Sequence, residues 1–304
     1  MSRLRVRTHF CEAPVSYPDD LRDQVDEYLQ QLRFSEGPGT EGLSEAMLYS
    51  LLAGGKRIRP VLALATAAAL GDDPASVMPF AAALEMVHSY SLIHDDLPAM
   101  DDDDLRRGKP SCHVAFGEDV AILAGDALYA EAFRLILTEQ RADPLRLLRA
   151  SAELAAATGV NGMVGGQYLD VEAAAAEGPE GLREIHSRKT GRLINASVEC
   201  VCLLHGVGEQ DLLNYRTFAA ELGVLFQIVD DILDVTGSDE ELGKPSGSDE
   251  RQGKRTYVSE FGLEHAKALA DASHAKTRAA LAAAAPAGAD QLERITDFIA
   301  ERES

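Results

Sequence analysis

Helical periodicity runs through almost the whole chain. Ala, Leu, Glu and Arg dominate the sequence, and runs in which β-branched and polar residues alternate are almost absent. Ala and straight-chain residues favour helix, whereas half-buried strands need a period of two. The sequence therefore predicts an all-α protein. Helices are predicted at residues 18–34, 42–53, 58–70, 75–97, 118–139, 143–158, 180–205, 209–236, 250–260, 263–285 and 288–302.

The predicted helices form one domain. The chain has 304 residues, which is enough for two average domains, although one large helical core would also fit. The breaks between helices are rich in Gly, Pro, Ser or Asp and too short to be interdomain linkers. They lie at residues 35–42, 71–74, 105–110, 176–181 and 236–250. Residues 1–20 lack periodicity and are expected to be a loose arm, which leaves residues 21–304 as a single large helical bundle.

The charge balance restricts the partners. The sequence contains 29 basic and 50 acidic residues, a formal net charge of -21. This charge argues against nucleic acid and anionic membrane surfaces as partners, so local cations must bind any anionic ligand. Apolar runs such as residues 61–70 are too short to span a bilayer, and no N-terminal run resembles a signal peptide. We therefore expect no membrane insertion and a cytoplasmic location.

A C-terminal acidic cluster (residues 230–234) lies inside an apolar helical segment, FQIVDDILDV. Asp230 and Asp234 lie about 40° apart around a helix, and Gln227 is beside them. Apolar residues cover the rest of the segment, as is typical of a buried helix. Buried carboxylates without a nearby cation become neutral or bind a metal ion, so Asp230, Asp231 and Asp234 are candidate metal ligands.

An N-terminal acidic cluster (residues 95–104) lies in HDDLPAMDDDDLRRGKPS and places six aspartates within ten positions. An apolar helical segment ends in the first two, and Asp101 is about 240° from Asp95 on an ideal helix. Pro98 removes a backbone hydrogen bond and crowds the preceding turn, so we expect a distorted helix end that brings Asp95 and Asp101 toward one point. Taken alone, the DDDD run at residues 101–104 is better explained as a solvated loop.

The two clusters together suit Mg²⁺. Their carboxylate oxygens are hard ligands, and no Cys and few His accompany them. Because Mg²⁺ keeps several waters and usually shares its shell with substrate phosphates, the expected substrate is a phosphate ester.

Basic residues that could bind such an anion occur in several segments. GGKRIRP (residues 54–60) places Lys56, Arg57 and Arg59 beside a helix N-terminus, where free N–H groups favour anions. Taken alone, a solvated basic turn explains these residues about equally well. Adjacent arginines point in different directions, as if to bind two separate anions. The remaining candidates are Arg106, Arg107, Lys189, Thr190, Lys244 and Lys254.

Two histidines leave alternatives open. His88 lies seven residues before Asp95 on the same helix face, and either ligand binding or a satisfied core histidine explains it. His94 and Asp95 form the HD pair of a class of metal-dependent phosphohydrolases. That class needs further histidine ligands, which the other histidines do not supply at convincing positions.

From about residue 20 to the end, the chain resembles the trans-prenyl diphosphate synthases, and among them the bacterial farnesyl diphosphate synthases. The resemblance depends on several ordered motifs: GGKRIRP (54–60), HSYSLIHDDLPAMDDDDLRRGKPSCH (88–113), GDAL (125–128), GGQYLD (165–170), HSRKTG (186–191), FQIVDDILD (226–234) and LGKPSGSD (242–249) with GKRTY (253–257). It implies an all-helical bundle, usually a homodimer, whose two aspartate motifs face each other across a deep central cavity.

The resemblance also implies roles for individual residues. Asp95 and Asp101 would hold two Mg²⁺ ions and Asp230 a third, supported by Asp96, Asp231 and Asp234. Isopentenyl diphosphate would be bound by Lys56, Arg59, His88 and Arg107. The allylic diphosphate would be bound by Arg106, Lys189, Thr190, Gln227 and Lys244, with Lys254 at a closing lid. Among these, the catalytic residues would be Arg106, Lys189, Thr190 and Gln227.

Product length is the finest expectation. A chain anchored at Asp95 extends past Tyr90, which is five residues earlier and about 7.5 Å along the helix axis, and past Ser91. In the resembling family, a bulky aromatic residue at that position stops elongation near fifteen carbons. The expected product is therefore farnesyl diphosphate, made from isopentenyl diphosphate with dimethylallyl and geranyl diphosphates.

The main alternative is a geranylgeranyl diphosphate synthase, which differs only in the cavity floor. A terpene cyclase would carry an Asn/Ser/Glu metal motif in place of DDILD. An inactive regulatory subunit would typically lose an aspartate motif, and both are intact in this sequence.

Overall fold

The structure is a computed structural model that describes residues 17–172, 178–237 and 254–302. Regular structure in these ranges is almost entirely helical, which confirms the predicted all-α class. The α-helices are α1 (Asp19–Gln31), α2 (Glu41–Leu51), α3 (Ile58–Ala69), α4 (Met78–Asp95), α5 (Cys112–Phe116), α6 (Glu118–Glu139), α7 (Pro144–Thr158), α8 (Met163–Val171), α9 (Gly178–His186), α10 (Arg192–His205), α11 (Glu209–Thr236), α12 (Tyr257–Phe261), α13 (Leu263–Ala284) and α14 (Asp290–Glu301). A 3₁₀-helix (Pro74–Val77) precedes α4, and a π-helix (Ser187–Gly191) joins α9 to α10.

Several predicted boundaries need correction. The predicted helix 75–97 is a 3₁₀-helix followed by α4, and the predicted helix 180–205 is interrupted by the π-helix. Helix α8 was not predicted, because glycines at its start and inside it lower helix propensity. Of the predicted helix 250–260, the described residues contain only α12, which begins at Tyr257.

A short hairpin follows the N-terminal acidic cluster and was not predicted either. Strand β1 (Leu105–Arg106) pairs antiparallel with β2 (Lys109–Pro110). Arg107 and Gly108 form the turn, and both have positive φ, 53° and 73°. Two successive positive φ angles match a turn whose twist fits a hairpin. Positive φ is unusual for Arg, and such strain is often found at functional sites.

The packed body begins before the predicted end of the N-terminal arm. Tyr17 is buried, and its ring centroid lies 4.7 Å from that of Phe298 in α14. Helix α1 begins two residues later, at Asp19. Residues 17–20 therefore pack on the bundle, whereas residues 1–16 lie outside the described ranges, and for them the arm stays a prediction.

Helices α4 and α11 lie deep in the bundle and carry the two acidic clusters. Most residues of α4 are buried, as its apolar sequence requires, and α4 packs along α6. Helix α11 packs against α10 and α13. In the described ranges no helix is both long and apolar enough to span a membrane.

Candidate active site

A central cavity of about 500 Å³ opens between α4 and α11. Most of its polar lining was selected from the sequence: Lys56, Arg59, His88, Tyr90, Ser91, Asp95, Arg106, Arg107, Lys189, Thr190 and Asp230. The lining comes from both acidic helices, the start of α3, the hairpin, α8 and the π-helix. Residues far apart in the chain therefore meet at one site, with both acidic clusters beside it.

The C-terminal end of α4 brings Asp95 and Asp101 together. The helix ends at Asp95, and a turn through Pro98 returns the chain so that the Asp101 N–H donates to the Asp95 carbonyl oxygen at 2.9 Å. The expected convergence therefore comes from a helix end followed by a turn. Burial and the nearby Asp101 raise the pKa of Asp95 to about 6, against the lowering effect of Lys189. Asp101 accepts a hydrogen bond from Lys254 Nζ at 2.9 Å.

The C-terminal acidic cluster is divided between the cavity and the protein interior. Asp230 was expected to be buried, but its side chain is 56% exposed because it faces the cavity. Asp231 is buried and accepts hydrogen bonds from the Tyr257 N–H at 2.6 Å and from Gln227 Nε2 at 2.8 Å. Asp234 is buried as well. Asp231 therefore fixes the start of α12, and Asp230 is the member of the cluster that faces the cavity.

The π-helix presents Lys189 and Thr190 to the cavity. Lys189 Nζ donates to Asp170 Oδ2 at 2.7 Å. Burial disfavours the ammonium, but Asp170 and Asp95 more than offset burial and raise the pKa of Lys189. The lysine is therefore charged and faces Asp95. π-Helical segments are frequent at functional sites.

Glycines on two helices let the π-helix approach closely. A Cβ at Gly166 in α8 would lie 2.2 Å from the Lys189 backbone nitrogen. A Cβ at Gly223 in α11 would lie 3.2 Å from the Gly191 Cα. The backbone of the π-helix is thus held between two helices with little space to move.

We expect Gly166→Ala to lower kcat about 100-fold, because the added methyl must displace the backbone of Lys189 by more than an ångström. Steady-state kinetics measures the effect. Gly42→Ala is the matched control, since Gly42 is also helical and a Cβ there meets nothing within 4 Å. Equal kinetics of the two variants would contradict this account.

A group of basic side chains next to α4 forms a cationic pocket. Arg59 is half-buried there, its buried Nε has no partner among the described residues, and desolvation lowers its pKa to about 10. Burial, followed by Arg59 and Arg107, lowers the pKa of His88 well below its usual value, so His88 is neutral. Arg107 donates to the Gly54 carbonyl oxygen, and its guanidinium packs closely against Gly55. Lys56 lies over the Phe298 ring, 5.2 Å from its centroid.

Adjacent arginines have separate partners, as expected. Arg106 Nε donates to Asp96 Oδ1 at 2.9 Å, and Arg107 reaches Gly54 on the other side. Arg57, in contrast, is a structural residue: it is buried and bonded to Asp26 Oδ1 at 2.8 Å and Glu85 Oε1 at 2.6 Å. Its positive φ of 52° turns its side chain into the core.

The predicted chain-length residues lie on the cavity wall. Tyr90 is largely buried and packs edge-on against Tyr129, with ring centroids 5.1 Å apart. Ser91 Oγ donates to the His88 carbonyl oxygen at 2.8 Å. Tyr90 therefore has a fixed ring, which suits a rigid end wall.

Some predicted site residues do not line this cavity. Asp96 lies behind it, bonded to Arg106, and Gln227 is bonded to Asp231. Asp101 and Lys254 pair with each other beside it. Lys244 lies outside the described residues.

Three residues of the site were not selected from the sequence. Gln167 lines the cavity with both amide atoms unpartnered among the described residues. Arg302 donates to Asp230 Oδ1 at 3.2 Å and lies 4.3 Å above the Phe226 ring. Asp170 orients Lys189. The GGQYLD motif contains Gln167 and Asp170 and could have identified them as site residues. Arg302 lies in a charged C-terminal run that resembles no motif.

The donor set suits Mg²⁺ shared with a phosphate ligand. In the described ranges, no group of three His, Cys, Asp or Glu side chains is arranged to bind a metal ion by itself. Asp95 and Asp230 instead offer hard oxygen ligands on one cavity. The unpartnered donors of Arg59 and Gln167 face the same space, as expected for an anion beside the ion.

An all-helical bundle with carboxylates and cations around one cavity defines a class of proteins that bind phosphate esters. The chain belongs to the polyprenyl synthetase family, whose model matches residues 40–296. It is 50% identical over 246 residues to a farnesyl diphosphate synthase of Geobacillus stearothermophilus, covering 79% of this chain and 80% of the relative. It is 44% identical over 287 residues to the farnesyl diphosphate synthase of Bacillus subtilis (93% and 95% covered). A chloroplastic geranylgeranyl pyrophosphate synthase of Catharanthus roseus is also 44% identical, over 265 residues (86% and 74%).

Solved structures agree with the fold. A geranyltransferase of Helicobacter pylori, crystallised with magnesium and isoprenyl diphosphate, superposes with a TM-score of 0.81 at 31% identity, covering 94% of this chain and 98% of that one. The resemblance expected from the motifs is therefore confirmed.

Proposed function

We propose that the protein is a Mg²⁺-dependent prenyltransferase that condenses isopentenyl diphosphate with dimethylallyl and geranyl diphosphates to give farnesyl diphosphate. The observation that carries the proposal is that Asp95 and Asp230 face the same cavity as a cationic pocket around Arg59 and His88. Family membership and the farnesyl diphosphate synthases among the relatives support it.

The reaction requires an allylic C–O bond to ionise, so negative charge on the leaving diphosphate must be stabilised. Lys189, held by Asp170, supplies a charged ammonium at that place, and Thr190 adjoins it. Up to three Mg²⁺ ions held by Asp95, Asp101 and Asp230 would supply further electrostatic stabilisation of the diphosphate. The isopentenyl double bond then attacks the allylic carbon, and a proton is lost to the released diphosphate. No nucleophilic side chain is needed.

Two substrates need two anion sites. Arg59, His88, Arg107 and Lys56 form a cationic pocket that suits isopentenyl diphosphate. The neutral His88 can form hydrogen bonds there without adding a further positive charge. Lys189 and Thr190 are nearer Asp95 and suit the allylic diphosphate.

We expect Arg107→Asn and Lys56→Ala to raise the KM for isopentenyl diphosphate tenfold or more, about the value of a charge-assisted hydrogen bond, with little change for the allylic substrate. Asn is chosen at position 107 because it tolerates the positive φ of 53°. Initial rates with each substrate varied in turn measure both KM values. Lys267→Ala, an exposed lysine paired with Glu264, is the control. Equal losses for both substrates would refute the two-pocket assignment.

Product analysis separates the remaining alternatives. Geranylgeranyl diphosphate synthases are also among the relatives, and only the cavity end distinguishes them. Chromatography of products from isopentenyl and dimethylallyl diphosphates should show a main product of fifteen carbons. A main product of twenty carbons would favour the geranylgeranyl alternative, and no product would favour a regulatory subunit.

We also infer that the protein forms a homodimer and that it is located in the cytoplasm. Large apolar side chains are exposed on α6 and α7, including Leu123, Leu137, Leu145 and Leu148, and a second copy could cover them. The net charge of -21 disfavours nucleic acid and anionic membranes as partners. Sedimentation velocity tests the dimer.

A further inference from the structure

A second cavity, of about 260 Å³, lies behind the π-helix. It shares no lining residue with the central cavity. Its lining is Arg183, His186, Ser187, Gly191, Arg192, Asn195, Ala220, Gly223, Val224 and Tyr257. The π-helix is therefore a common wall: Lys189 and Thr190 face one cavity, and Ser187 and Gly191 face the other.

Three buried polar atoms of this lining have no hydrogen-bond partner in the described part of the chain. They are His186 Nδ1, Arg192 Nε and Asn195 Oδ1. They flank the π-helix, one before it and two after it. An unpartnered buried polar atom is unfavourable by about 1–3 kcal/mol, so a ligand that supplies the partners gains affinity. Burial lowers the pKa of His186 to about 4, so its ring is neutral.

The other walls of this second cavity also lead to the active site. Gly223 and Val224 belong to α11, which carries Asp230 further along. Tyr257 donates its backbone N–H to Asp231 at 2.6 Å. Each wall thus bears, or is hydrogen-bonded to, an element of the catalytic machinery.

We propose that the second cavity is an effector site for a small, uncharged, planar molecule carrying a carboxamide, and that its occupation strengthens binding of the allylic diphosphate. The kinetic part rests on the proposed prenyltransferase function, whereas the binding part does not.

The polar atoms select a carboxamide. Arg192 Nε can only donate and Asn195 Oδ1 can only accept, so a ligand that satisfies both must present an acceptor and a donor. A carboxamide presents both, whereas a carboxylate has no donor for Asn195. Arg183 and Ser187 also line the cavity, and Arg183 is hydrogen-bonded to the Tyr257 side chain. Tyr257, Ala220 and Val224 supply the aromatic and apolar surface against which a flat ring can pack.

Ligand binding in the second cavity should act by restricting the motion of side chains on the π-helix. A ligand bonded to His186, Arg192 and Asn195 fixes both ends of the segment that carries Lys189 and Thr190. The Lys189 and Thr190 side chains then lose less conformational freedom when the allylic substrate binds, which gives positive coupling. Coupling of this kind starts at about fivefold in affinity.

Benzamide is the probe, and benzoate is its matched control. Isothermal titration of the full-length protein, without substrate, should show benzamide binding and no benzoate binding. Asn195→Leu, which removes the acceptor, and Ala220→Phe, which fills the cavity, should each abolish the binding signal and leave the substrate-dependent turnover without benzamide unchanged. With saturating benzamide, the KM for geranyl diphosphate should fall about fivefold, and the KM for isopentenyl diphosphate should not change.

The outcomes separate the two parts of the proposal. Absence of benzamide binding, or equal binding of benzoate, overturns the site and shows that the cavity contains only water. Binding that survives in both variants places the ligand elsewhere and also overturns it. Binding at the site with an unchanged or raised KM for geranyl diphosphate overturns the coupling. A protein that binds benzamide but makes no prenyl product would contradict the proposed function and leave the binding site standing.

Discussion

Asp95→Ala, Asp101→Ala and Asp230→Ala are each expected to lower kcat about 1000-fold, because each removes a proposed ligand for the ions that would stabilise the leaving diphosphate. Asp104→Ala is the matched control, since Asp104 lies in the same acidic run, is exposed and does not line the cavity. Rates are measured in saturating Mg²⁺ with both substrates. Near-normal turnover of Asp230→Ala would contradict the binding of a third ion at the C-terminal acidic cluster.

Loss of a carboxylate at these positions should not unfold the protein. Burial raises the pKa of Asp95 to about 6, from an ordinary value of 3.8. The folded protein then binds this proton more tightly than the unfolded chain, so ionisation of Asp95 lowers stability as the pH rises from about 4 to about 6. Above pH 6 the cost is complete. Metal-free Asp95→Asn should therefore have a higher Tm than the unchanged protein at pH 7.

That difference in Tm should shrink at pH 5, where Asp95 is already largely protonated in the folded protein. Thermal unfolding in the presence of a chelator measures it. A lower Tm for Asp95→Asn at pH 7 would mean that the carboxylate stabilises the metal-free fold, contrary to its burial.

The sequence was sufficient for the parts of the site that depend on local pattern. Apolar periodicity located α4 and α11, and the apolar flanks of the aspartates at residues 230–234 favoured a metal ion over a solvated surface. The prediction that Arg106 and Arg107 point apart follows from adjacency alone, and they have separate partners in the structure. Local reasoning works here because each inference needed only one helix or one turn.

Other features depend on contacts between distant segments and could not be predicted. Asp230 has apolar neighbours in sequence, yet it is exposed because a cavity opens on that side of α11. Arg57 looks like Lys56 and Arg59 in sequence, but only the fold places Asp26 and Glu85 around it. The π-helix lies where the chain packs between Gly166 and Gly223. The apolar periodicity of the sequence does not predict it.

The end wall of the central cavity should determine product length. Tyr90 lies on α4 before Asp95, lines the cavity and is held edge-on by Tyr129, which is in turn bonded through its hydroxyl to Thr158 Oγ1 at 3.0 Å. We propose that a prenyl chain anchored beside Asp95 would grow toward earlier residues of α4, where the ring of Tyr90 would block its path. Because neighbours fix the ring, it cannot simply turn aside.

Tyr90→Ala is expected to change the main product from farnesyl diphosphate to geranylgeranyl or longer diphosphates, with substantial activity retained, because the diphosphate-binding residues are untouched. Tyr90→Phe keeps the ring and loses only the hydroxyl, so it should still stop at fifteen carbons. Radiolabelled isopentenyl diphosphate and chromatography of the dephosphorylated products give the chain lengths. If Tyr90→Ala also stops at fifteen carbons, a different residue ends the cavity, and the farnesyl assignment loses its structural basis. If Tyr90→Phe already makes longer chains, the hydroxyl and not the ring sets the limit.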